Sequence, residues 1–564
     1  MAGTILQSVT AGTIVLLHVT DDRPHGDPIR TEGIPMTIHQ QPHVTDREAH
    51  FTGGGIASLA GAAFLVRDGN MPGENIHIYE KLDVVGGAMD GAGDPDEGYV
   101  IRGGRMFNFP TYECTWDLFR TIPSLEDPSR SVKAEMDEFN EVHESCAETR
   151  LMDGSTRIDA SNYGLTGRHR RSIVKLLLTP EERLGDARIE EWFADDFFET
   201  NFWYVWATIF AFQPWHSVAE VRRYMYRFLH EFPRLHTMEG VDRTRYNQYD
   251  SMILPLRRWL EDRGVSFEYG HEVVDMDIVT SRAGRTVTQI HCETDSGTET
   301  IPVEPSDLVF VTNGSMTDGS SLGAMDEAPE LNETGASWEL WKSIADGNPQ
   351  FGNPSVFADN VTETKWESFT VTLHNTDLFD HIVEFTDEEP GNGLVTYLGS
   401  NWLLSTVVAA QPHFANQPDD VKIFWGYGLF PDREGNYVEK PMSECTGREI
   451  LQELCYHLEC EDRLPELLEG VNCIPAMMPF ITAHFQPREP GDRPAVVPDG
   501  SNNLAFLGQY SEVDRDVVFT VEYSVRSAMV AVYDLLDLDE DVPAVSKHYR
   551  KPGVLTNAIE AAYR

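Results

Sequence analysis

The sequence predicts an α/β fold: a parallel-sheet domain assembled from separate stretches of chain, carrying an inserted domain that is largely helical with a mixed α+β part. Three stretches predict the sheet. His50 to Glu80, HFTGGGIASLAGAAFLVRDGNMPGENIHIYE, has the order strand, glycine-rich turn, helix, strand and terminal acid. Asp307 to Ser315, DLVFVTNGS, and Asn503 to Tyr510, NLAFLGQY, are apolar runs of the buried-strand type, each ending in a glycine turn.

The first of these units predicts a dinucleotide site. Gly53 permits the tight turn, Gly55 lets the backbone approach a pyrophosphate, and Ser58 stands where a third small residue lets the helix pack on the strand. The helix N-terminus then turns unpaired N–H groups towards the phosphates. Glu80 closes the second strand, where an acid accepts hydrogen bonds from an adenosine ribose. Gly86 and Gly87 follow in LDVVGGAMDG, which resembles the second glycine signature of FAD enzymes of the amine-oxidase and desaturase type, so FAD is favoured over NAD.

Further along, Arg102 to Arg120 opens as a paired-glycine loop between two arginines and turns helical near Tyr112. Residues 185 to 262 have helical, aromatic-rich patterning; from Ala219 to Phe232 a helix places Tyr224 and Phe228 on one face and Arg223 and Arg227 on another. Such a segment, broken by Tyr204, Gln213 and His216, serves as core or as the wall of an elongated apolar pocket. Gly264 to Asp277 alternates as a strand returning to the first domain, and Val518 to Leu536 is a closing helix after the GQ turn. The expected division is an extension over 1–44, with Met36 as an alternative start. A cofactor domain follows over 45–105, 263–345 and 496–540, a substrate domain over 106–262 and 346–495, and a tail over 541–564.

Seven blocks together resemble one family, the oleate hydratases, also called myosin-cross-reactive antigens. They are RGGR (Arg102 to Arg105), ECTWDLFRTIPSLED (Glu113 to Asp127), NFWYVWATIFAFQPWHS (Asn201 to Ser217), RYNQYDS (Arg245 to Ser251), DLVFVTNGSMT (Asp307 to Thr317), MPFITAHFQPR (Met478 to Arg488) and VVFTVEYSVRSAM (Val517 to Met529). The resemblance implies an FAD-binding fold with a fatty-acid tunnel. It further implies addition of water across a cis double bond of an unsaturated fatty acid, of the oleate to 10-hydroxystearate type, without net redox change. Isomerisation of polyunsaturated chains, or an FAD oxidoreductase or desaturase, are the alternatives.

Hydrating an isolated alkene needs an acid for one carbon and a base that delivers water to the other. The resemblance puts the acid at Tyr224, within VRRYMYRF. Most members carry a glutamate directly after RGGR, where this chain has Met106; a thioether cannot activate water, and Asn108 and Glu113 are the side chains expected to hold it instead. Members also carry a Thr-x-Asn pair for the substrate carboxylate, and the matching WLLSTVVAAQPHF has Val407 and Ala409 there. Gln411, His413 and Thr482 are the expected substitutes. For FAD the expected contacts are Gly53, Gly55, Ser58, Glu80, Gly87, Arg105, Val273, Gly508 and Thr520.

Composition narrows the partners. The 564 residues hold 44 Lys+Arg against 92 Asp+Glu, a net charge of −48. Nucleic-acid binding needs a basic field and is excluded on that count. No apolar run reaches the roughly 20 residues of a membrane helix, which leaves at most a peripheral membrane contact. Seven scattered cysteines, with no CxxC and no histidine pair at zinc spacing, predict a reduced cytoplasmic protein without a metal. The family resemblance implies a monomer or homodimer. Cys455 and Cys460 are expected to be packing residues.

The acids are spread along the whole chain, the pattern of a protein adapted to high salt, where self-repulsion is screened. Thermal denaturation across a potassium chloride series is therefore expected to show a melting temperature that rises with salt. A flat or falling curve would refute that adaptation.

Overall fold

The computed structural model describes residues 43–102, 104 and 106–564. Nearly all of the expected N-terminal extension, with Met36, lies outside the described residues, and so does Arg105. Strands β1 (Ala49–Thr52), β2 (Ile76–Glu80), β3 (Ser266–Tyr269), β4 (Leu308–Thr312) and β5 (Leu504–Leu507) form a wholly parallel sheet in the order β5, β4, β1, β2, β3. Ala49 pairs with Leu308 on one side and Ile76 on the other. This is the doubly wound, Rossmann-like order, with the direction of strand addition reversing beside β1. All four residues of β1 and all four of β5 are buried, as a sheet covered on both faces requires.

Four helices position the site: α1 (Ile56–Arg67), α2 (Asn201–Phe210), α3 (Val218–Arg227) and α4 (Val521–Leu536). Helices α1 and α4 pack together on one face of the parallel sheet. The opposite face, with Tyr79, Val309 and Val311, packs against Val287 and Ile290 of an antiparallel three-stranded sheet and against Trp338 and Trp341. That smaller sheet begins at Glu272–Ser281. The strand expected over Gly264 to Asp277 is thus two strands in different sheets, divided at Gly270, whose φ of +67° breaks the extended run.

A second, eight-stranded sheet is built mainly around Trp366–Leu373, Lys422–Gly428 and Val471–Met478. Its side chains alternate with period two. Trp366, Ile423, Trp425 and Tyr427 join the core shared with α2 and α3, whereas Phe369, Val371, Leu373 and Phe424 pack with Ile382, Ile450 and Leu454 of the outer helices. All seven cysteines are free, and Cys455 and Cys460 are both buried. Among the described residues no helix is long and apolar enough to cross a membrane.

The helix expected from Ala219 to Phe232 stops at Arg227 and continues as a 3-10 segment, Leu229–Arg234. Pro233 accounts for this, since it lacks an N–H and disfavours helical backbone in the residue before it. The tail beyond 540 ends in a helix, Val554–Ala562, with Ala558 and Ala561 buried.

Behind α3 lies a buried ion network. The Arg526 guanidinium donates to Asp516 (2.8 Å), Glu522 (2.8 Å) and Glu113 (2.7 Å), and Arg227 pairs with Glu113 (2.9 Å) and Asp516 (3.2 Å). The Asp516 side chain is fully buried. Without the Arg526 cation, buried Glu522 loses its guanidinium and Asp516 and Glu113 keep only Arg227, and breaking a buried pair costs about 3–5 kcal/mol. Arg526→Met is accordingly expected to lower the thermal midpoint markedly at fixed salt, and an unchanged midpoint would mean that the network is not holding α3 and α4 together.

Candidate active site

At the C-terminal edge of β1 the chain turns at Gly53, whose φ of +80° suits glycine alone. The Gly53 N–H donates to the Tyr79 carbonyl (2.8 Å), which ties the turn to β2. Gly55 caps α1, and a Cβ placed there would meet nothing within 4 Å. That open space over a helix N-terminus, at the point where the sheet order reverses, fits a pyrophosphate. Glu80 accepts from Gly54 N (2.7 Å) and Leu82 N (2.9 Å), and burial raises its carboxyl above the usual range. Gly86 N donates to the Gly54 carbonyl (2.9 Å), so the second glycine pair is held against the first turn. Arg102 secures that loop through Asp90 (2.7 Å) and the Gly87 carbonyl (2.8 Å).

The other expected cofactor contacts fall around the same cleft or near it. Ser58 Oγ lies 3.3 Å from Thr312 Oγ1, where α1 crosses β4. Gly508 follows β5 with φ +89°, and its N–H donates to Ser527 Oγ (2.9 Å) on α4. Thr520 caps α4, accepting from Tyr523 N (3.2 Å). Val273 is buried on the first strand of the smaller sheet. Gln509, next to Gly508, donates to the Thr520 carbonyl (2.9 Å) and accepts from Phe519 N. The glycine cleft is thereby coupled to the residues that open the next cavity.

That cavity, of about 120 Å³, is lined by Phe210, Phe228, Trp366, Phe519 and Val521, with Tyr224, Asn108, Glu231 and Met106 among them. Tyr224 is 1% exposed, and its hydroxyl donates to the Val518 carbonyl. Burial, with the neighbouring Tyr112 and Glu220, pushes its pKa well above the ordinary phenol range, so it carries its proton at neutral pH. Asn108 donates to Glu231 Oε1 (2.8 Å) and to the Gly240 carbonyl (3.0 Å), and accepts from Thr111 (2.7 Å). Burial opposes ionisation of Glu231, but His230 and Arg234 hold its pKa down to about 2; the carboxylate is paired with the Arg234 guanidinium (2.6 Å), which lines the same cavity. Three of the nine non-glycine residues with positive φ among the described residues, Ala211, Met238 and Phe519, line this cavity. Backbone strain of this kind persists only where packing enforces it, and it concentrates at functional sites.

A second cavity, of about 200 Å³, meets the first at Gly104, Met106 and Trp425, which line both. Gly104 has to be glycine here: a Cβ would stand 2.6 Å from the Trp425 ring. Val407 and Ala409 line the second cavity together with Arg243, Thr244, Arg245, Gln248 and His413. Arg243 has a buried Nε with no partner, and burial pulls its pKa down to about 10. Burial and Arg243 together lower His413 to about 4, so the ring is neutral. An unpaired guanidinium N–H at the end of a cavity favours an anion.

Three expected site residues are engaged elsewhere. Glu113 belongs to the ion network behind α3, where burial is outweighed by Arg227 and its pKa is lowered; it does not line the cavity. The Gln411 amide donates to the Ala409 and Ile423 carbonyls (2.8 Å each) and accepts from Gln417, so it pins its own loop. Thr482 is fully buried, donating to the Thr364 carbonyl (2.9 Å), away from both cavities. Conversely, Glu231, Arg243 and Arg245 were not singled out from sequence. The one signal available was the run of charges in HEFPR and DRTR beside the aromatic segment.

Comparison with known proteins places the chain in a family. The MCRA family pattern matches residues 46–533. An oleate hydratase of Streptococcus pyogenes serotype M49 (strain NZ131) is 40% identical over 514 residues, covering 89% of this chain and 87% of that protein. A linoleate hydratase of Lactiplantibacillus plantarum is 35% identical over 561 residues, covering 92% of this chain and 98% of that one. Among solved structures, a Pyrococcus furiosus protein superposes with a TM-score of 0.49 at 12% identity, over 88% of this chain and 98% of its own. With a match across most of its length and relatives at 35% and 40% identity, the chain belongs to the MCRA family.

Proposed function

We propose that this chain is an FAD-dependent fatty acid hydratase, adding water across a cis double bond of an unsaturated fatty acid with no net redox change, in the manner of its oleate and linoleate hydratase relatives. The observation that carries this reading is the pair of adjoining cavities: an aromatic chamber holding a protonated phenol and a carboxylate, which shares Gly104, Met106 and Trp425 with a second chamber lined in part by Arg243 and Arg245. The first suits an alkene and the second a carboxylate head group. The unpaired cysteines and the lack of a membrane-spanning helix among the described residues are compatible with the cytoplasmic setting expected from sequence.

In this reading Tyr224 gives its proton to one alkene carbon, and water adds to the other. A buried phenol is a weak acid, so the positive charge that develops has to be stabilised where it forms. The aromatic rings of Phe210, Phe228 and Trp366 do so by cation–π attraction. Met106 offers no base. The polar wall of Asn108 and Glu231 is the place where the attacking water is held, and the addition ends with a proton returned to Tyr224 through solvent. Gly53, Gly55, Ser58, Glu80, Gly87, Arg105, Gly508 and Thr520 would hold FAD, whose ring, when reduced and anionic, would add negative potential beside the chamber. With Val407 and Ala409 apolar, Arg243 and Arg245 take over the carboxylate, together with Gln248 and His413.

Met106 also favours a second reading, in which the cation loses a neighbouring proton and the product is a shifted double bond. Oleate offered in deuterated water separates the two. Hydration gives 10-hydroxystearate with deuterium on the adjacent carbon; isomerisation gives only a displaced alkene, and hydrogen peroxide would indicate an oxidase. Tyr224→Phe is expected to lower the hydration rate by roughly 10²- to 10⁴-fold, the usual contribution of a general acid. Full activity in that variant would remove Tyr224 from the mechanism. Arg243→Met is expected to raise KM by roughly 10- to 100-fold with a smaller effect on kcat, since a charged hydrogen bond contributes about 1.5–3 kcal/mol. An unchanged KM would place the head group elsewhere.

A further inference from the structure

The opposite end of the parallel sheet, away from the glycine turn, carries a cluster that neither cavity uses. Glu48, His50 and Asp307 offer an oxygen, a nitrogen and an oxygen that all lie within 4.8 Å of one another. Glu48 and His50 share one face of the chain entering and forming β1 by the two-residue period of a strand, and Asp307 immediately precedes β4, the neighbour of β1. The Glu48 N–H donates to Asp307 Oδ1 (2.9 Å) and the Glu304 N–H to Asp307 Oδ2 (2.8 Å), so this carboxylate is fixed in place.

His50 is the informative member. The residue is 1% exposed, yet its Nε2 has no hydrogen-bond partner. Glu48 Oε2 lies 3.7 Å away, beyond hydrogen-bond range, while Nδ1 lies 3.1 Å from the Tyr79 hydroxyl. In the tautomer in which Nδ1–H is donated to Tyr79, Nε2 presents a lone pair to the carboxylate side of the cluster, and a cation held between them would satisfy all three groups.

We propose that Glu48, His50 and Asp307 form a binding site for a divalent transition metal ion of the zinc type. One imidazole and two carboxylates make a borderline donor set that favours zinc over magnesium. In a tetrahedral site with bonds of about 2.0–2.2 Å, ligand atoms stand about 3.3–3.6 Å apart. Closing from 4.8 Å falls to Glu48, whose side chain is 56% exposed and able to swing inwards, with water as the fourth ligand. Tyr79 orients the ring from behind, as outer-shell partners of metal-bound histidines do. Sequence spacing hid the site, since two of its ligands stand 259 residues apart. The ion would join the beginnings of β1 and β4 far from the reacting chamber, so it would stabilise the sheet without entering the chemistry.

The test is calorimetric titration of zinc chloride into the full-length chain after EDTA treatment, together with thermal denaturation. One equivalent per chain and a zinc-dependent rise in melting temperature are expected, with no equivalent response to magnesium. Glu48→Gln, at an exposed position, is expected to leave the metal-free melting temperature unchanged and to weaken zinc binding by at least about 10-fold, the lower end for disturbing even an outer-shell group. Asp307→Asn should weaken it as well. Zinc binding that is absent, equal in Glu48→Gln and the parent, or matched by magnesium would overturn the proposal.

Discussion

The structure depends on how α3 resolves two incompatible faces. One face presents Tyr224 to an apolar chamber; the other presents Arg223 and Arg227 to buried carboxylates. A helix with a cation on every turn of its inner side can be buried only if each guanidinium finds an acid, because an unpaired buried charge costs several kcal/mol. Glu181 and Glu512 meet Arg223, and Glu113 and Asp516 meet Arg227. These acids come from three different regions of the chain, around Glu113, Glu181 and the loop that carries Glu512 and Asp516. The helix is therefore locked in rotation about its axis, and the phenol has one direction in which to point. The carbonyl of Val518, just before α4, receives its hydroxyl.

The same logic explains why a dinucleotide-type cleft and an apolar chamber stand side by side. Helix α4 begins where the chamber's wall ends: Phe519, Thr520 and Val521 line the chamber, while Gln509 and Gly508 lead back into β5. The positive φ of Phe519 bends the backbone into the chamber at that junction. Packing of its ring on His484, with centroids 4.9 Å apart, is one of the contacts that hold this conformation.

Much of this was legible in the sequence, and the boundary of legibility is physical. The unit from β1 through α1 to β2 could be read because each of its demands is local: a glycine for positive φ, an apolar helix, an acid at a strand end. The apolar runs that become β4 and β5 were legible for the same reason, and so was the split of α3 into an aromatic and a basic face. What failed to show was partnership. Asn108 and Glu231 are 123 residues apart and meet only in the fold. Gln411 and Thr482 are polar residues in suggestive places, yet both satisfy backbone carbonyls that sequence cannot reveal as needy. Glu113 looked free because the arginines that claim it lie 114 and 413 residues further on. Propensity and pattern are local quantities, whereas the satisfaction of buried polar groups is global.

The waist formed by Gly104 against the Trp425 ring has a consequence of its own. Because the indole leaves no room for even a methyl group on that backbone, Gly104 and Trp425 meet closely where the two chambers share their lining. In the proposed reading, an acyl chain held by its head group beside Arg243 would have only so many methylenes to spend before it reached Tyr224. The protein would then act as a ruler. It would select a double bond by counting carbons from the carboxylate, and two chains of equal length but different unsaturation would be different substrates.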